Sequence, residues 1–416
     1  MANDVNRKLV GNNGSFSYDS VGNAEDLHDI LININPTRTK FLSKFGTAEK
    51  AVSTDFSWFT ERLRPPQDNA HLEKEDYTFS EIGTQEGLRN FIQHFQNSGF
   101  ITDTQNSIKK AFRRGTSEFN AAVDHAIRGQ GEDIELMIVK SKVGNLETPG
   151  TKAARSGGIP FFLQANTVDA TVETTGGVVT LTGINAESNP IDLSTGDFVY
   201  FTATKMPTGL EANRIYYIRI EDSAKKDKNK FKLYYDMEEA IDGTATNIKP
   251  TDEGTELKMV RRNVVSLGGA KDFTLEDINT VLEMIYRRGG NANQAYMSLR
   301  NKRKFSKLVN AQSTAYRPAD TETKLNDAAT VYESDFGVIT ASAHAMYPDK
   351  RLDILDMQYW DLKWLNNTHE VSNLAKTGTY EKFVVESDLG VQATAPQASG
   401  AIVDIKRWFI LGESKV

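Results

Sequence analysis

The stretch from Thr102 to Lys142 constrains the fold more than any other. Its apolar residues, Ile108, Phe112, Phe119, Val123, Ile127, Ile134 and Ile138, recur at steps of four and seven. That spacing predicts a helix with one buried stripe. Thr102 and Gln105 stand at capping-box spacing, Lys140 and Lys142 suit the negative end of the helix dipole, and Gly144 suits a C′ position. Such a helix is several times longer than the globular mean. With a single stripe it is a spine, across which other elements must be laid. Gly129 and Gly131 each cost about 1 kcal/mol relative to Ala, and they are the points where the spine could bend or split.

The elements around the spine are mixed. Met1 to about Lys44 is rich in Asn, Gly, Ser and Asp and reads as an arm that needs a surface to lie on, and Pro36 stops any helix from crossing it. Ala51 to Leu63 alternates with period two, placing Val52, Thr54, Phe56 and Trp58 on one face and Ser53, Asp55, Ser57 and Phe59 on the other. The turn from Arg64 to Ala70, with Pro65 and Pro66, predicts an antiparallel return over Leu72 to Phe79. An isolated hairpin is marginal in water, so this one leans on a partner. Phe56 and Trp58 are read as its anchors there, ahead of a place in their own core, because aromatics are enriched at interface centres. Leu88 to Ile101 predicts a strand leading into the spine.

Beyond the loop at Gly150 to Gly158, short strands are predicted at Gly177–Thr182, Asp197–Thr204, Arg214–Glu221 and Lys230–Asp236. They make an all-β module between Asn166 and Val260 whose abrupt texture marks an insertion. Thr274 and Asp277 open a helix striped by Leu275, Ile278, Val281, Leu282 and Ile285 and closed by Gly289 and Gly290. A short strand at Tyr296–Leu299, a basic helix at Asn301–Asn310 and a polar loop at Arg317–Ala329 follow. Strands then dominate, at Gly337–Met346, Leu352–Leu355, Phe383–Val391 and Ala401–Lys406, with a helix-like turn at Asp361–Leu365. Helices and strands do not alternate strictly, so the class is α+β.

Composition narrows the chemistry. The 416 residues suffice for two or three cores, and the absence of cysteine excludes disulfides, thiolate metal sites and a cysteine nucleophile. No apolar run approaches the ~20 residues of a membrane span, and the polar first ten residues do not resemble a signal peptide. A net charge of −7 argues against a protein whose main business is gripping nucleic acid. Between Asn166 and Val260 there are 10 basic and 16 acidic residues, so nearly all the excess acid sits in the β module. Its carboxylates lack EF-type spacing and read as a solvated face. The six histidines, His28, His71, His94, His125, His344 and His369, have no metal-ligand spacing and read as surface or satisfied. Gly129-Gln130-Gly131 is half a dinucleotide fingerprint inside a helix pattern, and Ser156-Gly157-Gly158 and Gly268-Gly269 lack the Lys-Ser/Thr of a phosphate loop. Lys109, Lys110, Arg113 and Arg114 form two basic stripes early in the spine, read first as a solvated face.

This order of parts resembles the major capsid protein of tailed bacteriophages. Thr39-Lys40-Phe41-Leu42-Ser43-Lys44-Phe45-Gly46, then Phe56-Ser57-Trp58 and Pro65-Pro66-Gln67-Asp68-Asn69-Ala70, look like the start of the extended loop in one branch of that family. Gly268-Gly269 through Arg287-Arg288-Gly289-Gly290 looks like that branch's axial helix, and Leu374-Ala375-Lys376-Thr377-Gly378 with the final strands looks like its closing stretch. The segment with Ser194-Thr195-Gly196-Asp197 and Thr208-Gly209-Leu210 resembles small β modules of other phage structural proteins.

The resemblance implies the phage capsid fold: an N-terminal arm (1–45), an extended β-hairpin loop (46–87), a peripheral domain with the spine helix (88–165), an inserted β domain (166–262), an axial domain (263–345) and return strands (346–416). It implies a non-enzymatic shell subunit without cofactors, assembled in the host bacterial cytoplasm into pentamers and hexamers of a virion capsid. Implied partners are copies of the chain, a portal, decoration or scaffolding proteins, and packaged double-stranded DNA touched non-specifically. Implied intersubunit contacts are Phe56, Trp58, Arg62, Arg64, Glu73 and Glu75 on the hairpin, and Lys109, Lys110, Arg113 and Arg114, which would meet an acidic loop such as Glu73 to Asp76 or the genome. A tail or surface-decoration protein whose β module binds a receptor or carbohydrate is the second reading, and a soluble enzyme the third.

Overall fold

The computed structural model describes residues 39–61, 70, 73, 85–108, 117–164, 167–182, 193–220, 229–243, 245–260, 262–312, 331–371, 374–375 and 378–406. Its elements, in chain order, begin with the short helix α1 (Lys40–Lys44) and strands β1 (Gly46–Thr47), β2 (Asp55–Glu61), β3 (Gln85–Phe91) and β4 (Gln93–Thr102). Helices α2 (Asp103–Ser107), α3 (Glu118–Lys140) and α4 (Ile159–Phe162) follow. Next come β5 (Thr167–Val172), β6 (Val178–Thr182), β7 (Phe198–Thr202), β8 (Tyr216–Ile220), β9 (Lys230–Tyr234), α5 (Met237–Asp242) and β10 (Lys258–Val260). Then β11 (Val264–Ser266), α6 (Leu275–Arg287), β12 (Gln294–Met297) and α7 (Leu299–Gln312). The chain closes with β13 (Val331–Ser334), β14 (Gly337–Ala343), β15 (Arg351–Leu355), β16 (Trp360–Glu370), β17 (Tyr380–Ala393) and β18 (Gly400–Val403).

The described chain divides into two compact units. The smaller comprises Asn97–Gly129 and Glu370–Val385, the larger Thr37–Gln96, Gln130–His369 and Glu386–Val416. In the smaller unit Val123, Phe383 and Val385 form a core against Phe119, Ala122 and Ala126, with the rings of Phe119 and Phe383 edge to face at 5.8 Å. Gly99 is required there, because the Phe383 ring lies within 2.5 Å of where a Cβ would stand. Thr102 caps α2 by accepting from the Gln105 N–H at 3.3 Å, and Asn106 accepts from Phe119 N at 3.4 Å near the start of α3.

The expected single spine is therefore shorter. Ile108 takes an extended backbone (φ −76°, ψ 120°) directly after Ser107 and ends the first helix. The long helix starts at Glu118 and spans 23 residues. Gly129 and Gly131 lie within it without breaking it. The stripe holds at Val123, Ile134 and Ile138, which are buried, but Ile108 and Ile127 are exposed. Phe112 lies outside the described residues.

In the larger unit the C-terminal half of α3 contributes Ile134, Met137, Ile138 and Val139 to a core with Phe41, Ile159, Phe162, Tyr296, Trp360 and Leu389. A second core lies between α6, α7 and a six-stranded sheet ordered β11-β18-β15-β12-β14-β13. The α6 stripe is the expected one, Leu275, Ile278, Val281, Leu282 and Ile285, all buried. Its reciprocal capping box is present, Thr274 N donating to Asp277 Oδ2 at 2.8 Å and Asp277 N donating to Thr274 Oγ1 at 3.2 Å.

Strands β5 to β10 close into a barrel ordered β10-β5-β6-β9-β8-β7, filled by Val179, Phe201, Tyr216, Ile218, Phe231 and Leu233 among others. Its first and last strands pair with each other, so Thr167 stands opposite Val260. Tyr200 of β7 is fully buried, joins the second core, and accepts at its hydroxyl from Val264 N at 2.9 Å. Burial pushes the Tyr200 hydroxyl up to about 12.

Two further expectations, at Leu88 to Ile101 and at Asp361 to Leu365, are corrected, and the expected hairpin return falls outside the described residues. The strand paired with β2 is β3, in the register Asp55↔Phe91, Trp58↔Leu88 and Glu61↔Gln85. Apart from Glu73, the stretch Leu72 to Phe79 lies outside the described residues. The strand expected from Leu88 to Ile101 is two strands divided at Ile92, whose N–H turns aside to Thr54 O at 2.8 Å. Asp361 to Leu365 is part of a long strand and not a helical turn. Trp360 and Leu362 are buried at period two, and β1 lies parallel to it through Gly46↔Asp361.

Candidate assembly interface

Two segments of the chain are rooted by buried polar groups.

The first root holds the hairpin. Phe56 is buried against Ala51 and Ile92, and its ring stacks on Trp58 at 5.7 Å. The indole N–H of Trp58 donates to Ala393 O at 3.0 Å, and its ring packs on Phe162 at 5.9 Å. On the opposite strand Asn90 is fully buried. Its amide nitrogen donates to Val391 O (2.6 Å), Gly157 O (3.0 Å) and Ser156 Oγ (3.2 Å), and its Oδ1 accepts from Gly157 N at 2.8 Å. Ser156 Oγ also accepts from Val391 N at 3.2 Å. One side chain thus ties β3, the turn before α4 and β17 together. Gly158 completes the turn, and its bare α-carbon lies against Met137 O and Ile138 O of α3.

The second root holds the N-terminal segment. Glu135 on α3 is fully buried and accepts from Phe41 N at 2.8 Å and Leu42 N at 3.0 Å. These are the free amides of the first turn of α1, so an internal carboxylate occupies the place a capping side chain would take. Lys40 Nζ donates to Ala343 O at 2.6 Å, and the Phe41 ring lies 4.4 Å from that of Tyr296.

The outer side of the hairpin base is open. Phe59 is 72 % exposed with its ring over Gly87, and Asp55 pairs with Arg89. On the larger sheet, Val331 and Val338 are also exposed, and Tyr286 is exposed beside Phe336 at 6.1 Å.

The sequence-derived contact residues fare unevenly. Phe56 and Trp58 pack within the chain, where β17 and the turn before α4 supply apolar cover and an indole acceptor. Glu73 is exposed. Arg62, Arg64, Glu75, Lys109, Lys110, Arg113 and Arg114 lie outside the described residues. Asn90, Glu135 and His344 went unremarked as anchors. A Glu amid Ile134, Met137 and Ile138 was the one local sign. Among the described residues no group of three or more His, Asp or Glu could hold a metal, and no helix is long and apolar enough to cross a membrane. A depression of about 550 Å³ is lined by Thr47, Ala48, Lys50, Trp364, Asn366, Asn367 and His369.

A family model for the SU10 major capsid protein matches residues 11–406. Solved structures similar to the chain include the capsid of the native GTA particle computed with C5 symmetry, at 6 % identity and TM-score 0.49, covering 93 % of this chain and 96 % of that one. The cyanophage A-1(L) capsid asymmetric unit is similar at 11 % identity and TM-score 0.49, with 92 % and 97 % covered. Mycobacterium phage Bobi is similar at 9 % identity and TM-score 0.45, with 92 % and 95 % covered. No curated protein matches.

Proposed function

The chain belongs to the SU10 major capsid protein family, and on that premise we propose how its parts serve a phage shell. The protein is a structural subunit of an icosahedral bacteriophage capsid. Many copies form a multimeric lattice, and the virion shell is where it resides. The match across residues 11–406 carries this conclusion.

The finer reading assigns a job to each part. Residues 1–45 are an arm whose part ahead of Phe41 lies on another copy, released from its own subunit at the Glu135 root. Residues 46–87 are the extended loop, held at its base by Asn90 and Trp58 and laid across a neighbour. Residues 88–165 with 346–416 make the peripheral part, 263–345 the axial part at five- and six-fold axes, and 166–262 an inserted domain on the outer surface. The acidic balance of that module supports the outward placement, since phosphates repel it. The same reading places assembly in the host cytoplasm, around a portal and with decoration or scaffolding proteins, and gives the chain no catalytic role. A tail or decoration protein is not favoured, because the matching family is that of the shell subunit itself.

Electron microscopy of the purified full-length chain tests the conclusion. Closed shells or capsomer rings are expected. Trimeric fibres or only small discrete particles would refute it.

A further inference from the structure

Strand β16 runs on past its short partner β1, and the depression of about 550 Å³ lies beside that stretch. Its size is in the range usual for small-molecule sites. The chain from Gly46 to Ala51 is laid along β16, with Ala48 N donating to Leu362 O at 3.0 Å and Ala51 N donating to Trp364 O at 2.8 Å. Thr47 and Lys50 are thereby fixed beside Trp364, Asn366, Asn367 and His369 on one frame.

The polar groups around the depression are of both kinds. Asn366 Nδ2 donates to Asp388 Oδ2 at 2.7 Å, and Asp388 Oδ1 lies 2.6 Å from His94 Nδ1. A carboxylate only accepts, so Asn366 gives Asp388 its nitrogen and keeps Oδ1 as an acceptor. His369 Nδ1 donates to Asn367 O at 2.9 Å, which leaves Nε2 bare as a second acceptor. The Trp364 indole N–H and the Lys50 ammonium are donors, while the Asn367 amide and the Thr47 hydroxyl serve as either. Among the described residues, none of these last four groups has a hydrogen-bond or ion-pair partner. Trp364 packs against the core of the larger unit and stays only half-buried.

This mixture selects among ligands. An anion needs donors only, and would meet Asn366 Oδ1 and His369 Nε2. A small cation needs acceptors, and would meet Lys50 and the indole N–H. A ring of hydroxyls, each both donor and acceptor, satisfies the whole set, and its C–H face can lie flat on an aromatic. We infer that the depression binds a neutral pyranose sugar, stacked on Trp364 and hydrogen-bonded by Asn367, Lys50 and His369. The inference stands apart from the shell reading, since every group belongs to one copy.

The test titrates the purified full-length chain with the methyl glycosides of glucose, galactose, mannose and N-acetylglucosamine, read by saturation-transfer NMR and calorimetry. Sulfate and tetramethylammonium serve as the anionic and cationic competitors. At least one glycoside should bind saturably in the millimolar range, and neither ion should displace it. Asn367→Ala should weaken that binding about fivefold, the worth of one neutral hydrogen bond. Trp364→Ala should weaken it about tenfold or more, and Trp364→Phe, which keeps a stacking face, by less. If Trp364→Ala melts early, Trp364→Phe and Asn367→Ala still decide. The inference is overturned if no glycoside binds saturably, if Asn367→Ala and Trp364→Phe leave binding unchanged, or if either ion displaces the sugar. Failed shell assembly in Asn367→Ala, with no glycoside bound by the unaltered chain, would give the depression to a segment of another copy instead.

Discussion

The Glu135 carboxylate accepts a hydrogen bond from the Nε2–H of His344 at 2.8 Å, with both side chains sealed from solvent. The tautomer follows from the other ring nitrogen. Met346 N donates to His344 Nδ1 at 3.1 Å, so Nδ1 is the acceptor and Nε2 carries the proton. Together with Phe41 N and Leu42 N, the imidazole gives the carboxylate three donors. A negative charge deep in the subunit is thereby held on the amides that begin α1.

Glu135→Ala leaves those donors buried without an acceptor. At ~1–3 kcal/mol for each orphaned group, it should lower stability by about 3 kcal/mol or more. It should also free the Lys40–Lys44 helix. The urea midpoint should fall, and trypsin should cut sooner at Lys40 and Lys44. An unchanged midpoint with unchanged cleavage would remove Glu135 from the root.

Trp58 gives a separate check on where the hairpin is anchored. Trp58→Phe should cost about 1 kcal/mol through the lost bond to Ala393 O. Trp58→Ala should cost about 2–3 kcal/mol through lost packing. Both losses should appear in the unassembled subunit, read by thermal melting. If melting is unmoved and only shell formation suffers, the indole belongs to a neighbour after all.

At Gly158 the constraint is space. An added Cβ would stand 2.5 Å from Met137 O and also meet Ile138 O. Gly158→Ala should force the turn away from α3 and destabilise by about 1–3 kcal/mol. Gly129→Ala, with nothing within 4 Å, should be neutral or stabilising by comparison. Equal melting temperatures for the two variants would contradict the packing.

Tyr200 makes stability depend on alkaline pH. Burial raises its hydroxyl to about 12 in the folded chain, against an ordinary value of 10.0. The contribution is therefore complete below pH 10 and is lost as pH climbs towards 12, at about 1.4 kcal/mol per unit. Tyr200→Phe should flatten that part of the pH–stability curve, while costing up to about 1 kcal/mol at neutral pH because Val264 N loses one of two acceptors and keeps Arg262 O at 2.7 Å. Denaturant midpoints at a series of pH values read both effects, and parallel curves for the two proteins would exclude the role.

What could be read from the residue order was local. Thr274, Asp277 and the stripe to Ile285 encode α6 within a dozen positions, and the alternating strands of the β module encode themselves. The gap after Ser107 was hidden because apolar spacing continues through Ile108 and Phe112 while the backbone at Ile108 does not. Asp361 to Leu365 was misread because a strand buried on one face at Trp360 and Leu362 needs its neighbours to be recognised. Pairing of β2 with β3 was beyond reach, since a second charged stretch at Leu72 to Phe79 fits a return equally well. The anchors were invisible for the same reason. Glu135 meets partners 94 and 209 positions away, and Asn90 meets Val391 across 301. His344 is a satisfied core histidine, while His28 and His71 lie outside the described residues.

Because Thr167 and Val260 face each other across one ladder, the chain leaves and rejoins the sheet-bearing body at almost a single point. A short bridge could close that gap, and another folded module with neighbouring termini could be grafted in its place, without rethreading any other strand. Tyr200 is the peg such a replacement would have to supply or do without. A lineage can thus trade the module as a cassette while the remaining strands keep their order.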